Sequence, residues 1–347
     1  MMEANVIHTE AKPVCLVCGQ QGILLYSDLH DRLFGAPGTW TLKRCVGEEC
    51  RTVWLDPAPR EDELWKAYSA YYTHGDDSLP HANTITRAYH FVRDCYLSFK
   101  YGYFASLSPS RLRWLGLAMY LFPGRRADVD FSVMYLQARP QARLLEIGCG
   151  SGRMLNIMKS LGWKAEGIDF DATAVANARG KGLDVRYGTL SEQGYADASF
   201  DAIIMSHVIE HVPDPKGLLV ECHRILKPGG VLSMVTPNID SFGSRFFGHS
   251  WLHLDPPRHL ILYNSASLHN LAQRAGFSDV ATRTVIRDAH SLFWASYSIS
   301  RRGTFLMGSQ PGGLTKLALL ALRFAEWWVI KLFPQSGEEI ALSGFKR

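Results

Sequence analysis

The feature that most constrains this chain is an alternation that begins near Arg143. Five short apolar runs, "RLLEI", "AEGID", "DVRY", "DAIIM" and "VLSMV", alternate with stretches of helical character near 152–161, 172–180 and 216–226. Runs too short for helices and interleaved with them fit strands joined by helical crossovers, so the sequence predicts an α/β, doubly wound, mostly parallel sheet. Ligands of such sheets sit beyond the carboxyl ends of the strands. At 347 residues and 47% hydrophobic, the chain is long enough for this core and a further module.

The first of these strands runs into "LLEIGCGSG", with glycines at 148, 150 and 152. The third glycine comes one position earlier than in the dinucleotide-binding pattern. Glu146 stands two residues before the first glycine, where a carboxylate repels a pyrophosphate and attracts a cationic amine. S-adenosylmethionine carries an ammonium and a sulfonium and no phosphate, which makes it the expected ligand. Gly148, Gly150 and Gly152 then let the backbone approach a nucleoside amino acid closely. Asp169, in "GIDFD" about twenty residues on, is the ribose candidate, and Asp171 is the expected N-cap of the next helix. "RILKPGG" predicts a helix stopped by Pro228, Gly229 and Gly230.

Four of the seven cysteines lie before residue 51, as "CLVC" (Cys15, Cys18) and "CVGEEC" (Cys45, Cys50). Two such pairs, separated by enough chain to fold back as strands, predict a four-cysteine zinc ribbon, with Gly19 and Gly47 turning the knuckles. With no fifth ligand in view, the Zn²⁺ is expected to be structural. The scattered remainder (Cys95, Cys149, Cys222) does not form a disulfide framework, which suits a reducing compartment. The N-terminus lacks a basic segment followed by an apolar one, so a cytoplasmic location is expected. After "DPAPRED", the segment "ELWKAYSAYY" predicts a helix with Leu64, Trp65, Tyr68, Tyr71 and Tyr72 on one packing face.

A net charge of +4 is too small to mark a nucleic-acid binder unless it is concentrated. It is concentrated between Thr84 and Arg126, where Arg87, Arg93, Lys100, Arg111, Arg113, Arg125 and Arg126 face a single acid, Asp94, among many aromatic residues. Such a mixture suits an anionic membrane surface, single-stranded nucleic acid, or a helical cap with aromatic core and solvated arginines. "LTKLALLALRFAEWWVIKLF" (314–333) spreads Lys316, Arg323, Glu326 and Lys331 over less than half of a helix circumference, leaving a broad apolar face. That favours a helix lying in the membrane interface over a spanning one, with a helix packed on the core as the rival.

"LLEIGCGSG", "GIDFD", "FDAIIMSHVIEHVPDP" and "LKPGGVL", in this order and spacing, resemble the class I S-adenosylmethionine-dependent methyltransferases, especially the branch of ubiquinone-biosynthesis O-methyltransferases and sugar or lipid-precursor methyltransferases. The resemblance implies a Rossmann-like, seven-stranded sheet whose antiparallel last strand is "GEEIALSGFK", with 287–336 inserted before it. It implies donor contacts from Glu146, Gly148, Gly150 and Asp169, and from the backbone near His207. Thr189 stands where the family often has an acid near adenine, which leaves adenine to the backbone near Leu190. In "HVIEH" the family has an acid at the position of His207 and keeps the Glu-His pair, so Glu210 and His211 are candidates for a divalent metal or for bracing the loop.

If the acceptor is a hydroxyl, a base must take its proton. His207 and His211 are candidates, and "GHSWLHLDPPRHLILYN" adds His259 as base or acceptor contact and Arg258 for an anionic acceptor group. The expected organisation is a zinc-ribbon-like four-cysteine module over 1–80, a basic aromatic helical segment over 81–135, the methyltransferase core over 136–286, and a helical insertion with the final strand over 287–347. The expected function is O-methylation of a glycan, lipid-linked or quinone-like acceptor at the cytoplasmic membrane face, with peripheral contact through 84–126 and 314–333. A zinc-ribbon nucleic-acid methyltransferase and an inactive scaffold are the alternatives. No "NPPY"-type segment follows the fourth strand, and no clear nucleic-acid partner is indicated.

Overall fold

The computed structural model describes residues 6–68, 84–103, 110–287 and 289–347. Strands β1 (Thr9–Glu10), β2 (Gly22–Leu29), β3 (Trp40–Cys45), β4 (Val53–Leu55) and β5 (Ala58–Pro59) precede helices α1 (Thr84–Tyr101) and α2 (Pro123–Ser132). The alternating region follows as β6 (Arg143–Ile147), α3 (Arg153–Ser160), β7 (Lys164–Asp169), α4 (Ala172–Gly180), β8 (Val185–Tyr187), β9 (Phe200–Ser206), α5 (Pro215–Ile225) and β10 (Leu226–Pro237). The chain closes with α6 (Phe242–Phe247), β11 (Ile261–Leu262), α7 (Ser265–Arg274), β12 (Ser278–Val285), α8 (Ala289–Arg302), α9 (Gly313–Leu332) and β13 (Glu339–Phe345).

Seven strands form one sheet in the order β12-β13-β10-β9-β6-β7-β8. β6 pairs in parallel with β7 and β9, and β7 with β8. This is the predicted doubly wound architecture. β13 runs antiparallel to β10: Gly229, near the start of β10, donates to the Lys346 carbonyl just past β13, while Asn238, just past β10, donates to the carbonyl of Glu338 just before β13. Contacts divide the chain into two compact units, one comprising the N-terminal residues with 206–220 and 235–344, the other the rest.

In the second unit, Leu144 and Leu145 of β6 and Ala202 to Met205 of β9 are wholly buried. Parallel strands covered on both faces have no solvent side, which is why they read as unbroken apolar runs. Asp171 caps α4 by accepting from the amides of Thr173 and Ala174. α5 stops at Ile225, before Pro228 is reached, because Leu226 already belongs to β10 and Gly229 and Gly230 exchange hydrogen bonds with Lys346. The basic aromatic stretch divides. Tyr96, Tyr101 and Tyr103 are core, with Tyr96, Lys100 and Tyr101 all donating to the buried Asp130 carboxylate, while Trp114, Leu121 and Phe122 are exposed.

In the first unit, β11-β4-β3-β2 form an antiparallel sheet over a core of Trp40, Leu42, Val53, Trp54 and Leu55. Glu61–Tyr68 is a 3₁₀ helix, whose three residues per turn do not hold the stripe drawn for an α-helix. Trp65 is accordingly exposed rather than packed, and Tyr71 and Tyr72 lie outside the described residues.

Gly152, immediately before α3, has φ +81°, and a Cβ there would stand 2.2 Å from Leu183 Cδ1. Both the left-handed backbone and the approach of α3 to the chain before β8 therefore require glycine. Gly152→Ala should lower unfolding stability by about 1–3 kcal/mol in urea titration; an unchanged midpoint would remove this packing role.

Candidate functional site

In the second unit, β6 delivers Glu146 to the strand end and turns through Gly148 (φ +69°) and Gly150 (φ +50°). The turn is pinned to β7: the amides of Gly148 and Cys149 donate to the Ile168 carbonyl, and the Gly150 amide donates to Asp169 Oδ2 at 2.7 Å. Asp169 Oδ1 accepts from the Asp171 amide at 2.9 Å, so its carboxylate is held rigidly by backbone donors. Nothing lies within 4 Å of the place a Gly150 Cβ would take, which leaves the loop open to a ligand.

Glu146 is the telling residue. It is buried, and its Oε2 has no hydrogen-bond partner among the described residues. Burial, with the charge of Asp169 added and against a backbone hydrogen bond from Leu155, holds its carboxyl well above the usual carboxylate range. A buried carboxylate without a partner is costly, and an arriving ammonium would compensate it. This donor set fits the amino-acid end of S-adenosylmethionine and gives a pyrophosphate nothing to bind. Leu190 is buried at the head of a 3₁₀ turn (Ser191–Gln193), and an acid lies close by in this turn. Glu192 Oε2 accepts from the Thr189 amide at 2.6 Å and from its hydroxyl at 2.9 Å, a pairing the sequence reading overlooked although Glu192 is only three positions on.

The first unit gathers the predicted histidines. His207 follows β9 in a left-handed conformation (φ +53°). Its Nδ1 lies 3.2 Å from Glu210 Oε1 and its Nε2 2.9 Å from Glu339 Oε1. Burial alone would lower its pKa, but the two carboxylates outweigh this and push it up to about 9. The partners are held down in turn. Glu210 falls to about 2 as the charge of His207 overcomes its own burial, and Glu339 falls to about 2 under Arg287 and His207. The two carboxylates thus favour the imidazolium form of His207, while Arg287, whose Nη2 lies 3.2 Å from the same Nε2, shares Glu339 with it; neither Glu339, on β13, nor Arg287 is announced by a local motif.

His211 and His259 are the opposite case. His211 Nδ1 lies 3.0 Å from the Arg258 carbonyl and from the Tyr68 hydroxyl, and His259 Nδ1 lies 2.6 Å from the His253 carbonyl. A carbonyl can only accept, so Nδ1 carries the proton in both rings and each Nε2 keeps its lone pair. Burial lowers both pKa values to about 4, which makes both rings neutral at neutral pH. The rings meet edge to face at 4.7 Å, and a ligand atom from each of Glu210, His211 and His259 falls within 4.8 Å of the others.

Arg258 requires a correction. It is completely buried; Nη1 and Nη2 reach Asp31 at 2.7 and 2.8 Å, Nε and Nη2 reach Asp255, and Nη1 also donates to the Ala67 carbonyl. A guanidinium shared by two carboxylates braces the loop that carries His259 and does not receive an anionic acceptor. Asp31 was invisible as its partner, lying 227 positions away.

The cysteines also converge. Cys15 and Cys50 Sγ are 3.6 Å apart, Cys18 and Cys45 Sγ 3.3 Å, and all four lie within 4.8 Å of one another. Tetrahedral thiolates about 2.3 Å from Zn²⁺ stand roughly 3.8 Å apart, so the donor set fits. The Cys15 hydrogen bond draws Cys50 down to about 5, while burial raises Cys45 to about 11. Gly19 takes the left-handed turn expected of it, and Gly47, without a positive φ, donates its amide to Cys45 Sγ at 3.4 Å.

A family model described as a methyltransferase domain matches residues 125–282. A ubiquinone biosynthesis O-methyltransferase of Cereibacter sphaeroides is 31% identical over 167 residues, 44% of this chain and 67% of that protein. A probable S-adenosylmethionine-dependent methyltransferase of Mycolicibacterium smegmatis is 35% identical over 150 residues, 42% of this chain and 56% of that protein. The chain thus spans little more than half the length of the mycobacterial relative. A solved S-adenosylmethionine-dependent methyltransferase from Thermotoga maritima covers 68% of this chain and 97% of its own at 22% identity and a TM-score of 0.43; the sheet order, not this likeness, defines the fold. The chain belongs to the class I S-adenosylmethionine-dependent methyltransferases.

Burial raises the pKa of Glu146 and a donor ammonium beside it would lower it again, so donor binding is expected to be linked to proton release. The free carboxyl binds a proton below its raised pKa and gives it up when an ammonium arrives, so donor affinity should rise with pH and binding should release protons. Glu146→Gln should bind S-adenosylmethionine about tenfold or more weakly and lose the proton release. Calorimetric titration in buffers of different ionisation enthalpy reads both, and a variant with native affinity and native release would refute the ammonium assignment.

Proposed function

We propose that the chain methylates a hydroxyl oxygen of a glycan, lipid-linked or quinone-like acceptor at the cytoplasmic face of a membrane. The donor is held by Glu146 at its ammonium, by Asp169 at its ribose hydroxyls, by the backbone of Gly148 and Gly150, and by backbone groups near Leu190 at adenine. Gly152 serves the same loop through packing. The similarity to a protein named ubiquinone biosynthesis O-methyltransferase favours oxygen as the methylated atom.

The observation that carries the chemical part is that Nδ1 of His259 and of His211 each face a backbone carbonyl, which leaves each Nε2 its lone pair, with burial lowering both pKa values to about 4. The acceptor oxygen attacks the methyl carbon, the carbon–sulfur bond breaks, S-adenosylhomocysteine leaves as a neutral thioether, and the hydroxyl proton passes to His259 Nε2. Alignment for this in-line displacement supplies up to about 7–11 kcal/mol, and the base about 10²- to 10⁴-fold. His207, whose pKa the two carboxylates raise to about 9, is better suited to the role of a positive group than to that of a base. His259→Gln should therefore lower kcat by about 10²-fold or more with donor affinity nearly unchanged. Transfer of a labelled methyl group to isoprenoid phenols or lipid-linked glycans measures it, and a fully active variant would exclude a base at this position.

Glu210, His211 and His259 also fit a divalent cation, one carboxylate and two lone-pair nitrogens being a common donor set. A bound ion would make the acceptor hydroxyl more acidic. Loss of activity on chelation, restored by a divalent ion with the four-cysteine site intact, would favour this arrangement over His259 alone.

Cys15, Cys18, Cys45 and Cys50 are proposed to hold a structural Zn²⁺. Metal analysis should find zinc in the purified chain, and Cys45→Ser should abolish it and lower the melting temperature. A metal-free native chain of undiminished stability would rule the site out.

A further inference from the structure

The helix that sequence patterning marked as amphipathic turns its apolar side outward. On α9, Leu314, Leu317, Ala321, Phe324, Trp328 and Leu332 are all exposed, the five larger ones at 87, 65, 62, 50 and 73%. At about 100° per residue these six positions fall within an arc of about 80°. The opposite side, including Leu319, turns inward, and α8 packs against the helix. Leu306 and Met307, in the connection from α8, and Phe333, just past α9, are exposed as well. A contiguous apolar row along about 30 Å of helix is far more than scattered surface hydrophobes require.

Charge selects the occupant. Between positions 289 and 333 the sequence has Arg301, Arg302, Lys316, Arg323 and Lys331 against one acid, Glu326. Arg301, Arg302, Lys316 and Lys331 are at least partly exposed, and the Lys331 ammonium lies 3.9 Å from the centre of the Trp327 ring and 5.2 Å from that of Trp328. Tryptophan beside lysine at the margin of an apolar face is the composition that settles between acyl chains and headgroups. A second copy would bring this positive surface against itself, whereas anionic headgroups neutralise it. Among the described residues no helix is long and apolar enough to cross a membrane.

We propose that the outward face of α9, with Leu306 and Met307, lies in the plane of an anionic lipid bilayer, its exposed leucines, Phe324 and Trp328 in the acyl boundary and Lys316, Lys331, Arg301 and Arg302 among the headgroups. This deepens the membrane-face reading above by naming the surface, and it is independent of the acceptor's identity.

The test uses the full chain and vesicles of phosphatidylcholine with or without phosphatidylglycerol, read by flotation. The native chain should float with the phosphatidylglycerol vesicles, and less so as salt is raised. Leu317→Glu/Phe324→Glu should reduce partition by about tenfold or more, because each withdraws a large exposed side chain from the acyl boundary. Lys316→Glu/Lys331→Glu should abolish the preference for anionic lipid. Both positions of the first pair are solvent-exposed, so the variant should fold, and unchanged S-adenosylmethionine binding verifies this. If the native chain floats and the Leu317/Phe324 variant floats equally, the surface lies elsewhere and only this inference falls. If the native chain does not float, the inference and the membrane-face reading fall together. If the native chain sediments as a dimer that the same variant dissociates, the face is a self-interface and the inference is overturned.

Discussion

A carboxylate taken out of water must meet a cation or several donors, or else take up a proton, and this requirement organises each part of the molecule that carries chemistry. Asp31 and Asp255 enter the interior on the guanidinium of Arg258. Glu210 and Glu339 enter it on either side of His207, with Arg287 completing the balance. Asp169 is met by backbone amides. Glu146 is the departure: like Glu210 it keeps a buried oxygen without a hydrogen bond among the described residues, but no histidine or arginine there stands against it as His207 stands against Glu210, and burial raises its pKa. Among these carboxylates Glu146 is the one whose compensation an ammonium of the proposed donor would supply.

The same electrostatics separates histidines that look alike in sequence. His207 and His211 are four positions apart, yet one is driven towards the imidazolium and the other away from it. The difference lies in what faces each nitrogen. A carboxylate stands near each nitrogen of His207, and together they outweigh its burial and raise its pKa, although Arg287 also approaches Nε2. A carbonyl faces Nδ1 of His211 and of His259, so one nitrogen donates and the other is left with its lone pair. His253 stacks against His207 and His259, and burial followed by the charge of His207 holds its pKa well below the usual imidazole range. Which of these rings favours the charged form and which the neutral one is set by second partners, several of them on strands or loops far away along the chain.

This explains what could be read from the sequence alone. The parallel sheet, the glycine turn, Glu146, Asp169 and the Asp171 cap follow from patterns that are local or separated by one βαβ unit, where the chain itself sets the geometry. The closing strand was legible only through the family resemblance, since "GEEIALSGFK" has no strong alternation of its own. What escaped were partners brought by long-range closure: Asp31 for Arg258, Glu339 and Arg287 for His207, and Tyr68 for His211. Arg258 was misjudged for that reason, because an arginine beside a histidine reads as a ligand-binding cation until the carboxylate that consumes it is known. The helix drawn over "ELWKAYSAYY" failed differently: a 3₁₀ turn obeys another period, so the packing face assigned to Trp65 does not exist.

The position of α8 and α9 in the topology shows how a catalytic fold can carry a surface unrelated to its chemistry. β12 and β13 are neighbours at one edge of the sheet, and the two helices are inserted between them. Closing a longer connection between strands that are already adjacent costs only slowly more entropy as it lengthens, so an insertion there perturbs the sheet little. The inserted pair is anchored at its far end by β13, whose Glu339 neutralises His207 and whose preceding Glu338 accepts from the Gly243 amide and the Trp251 indole. The insertion is thus free to present an apolar face outward while the strand that ends it stays fixed by the charge pairing of the histidine cluster.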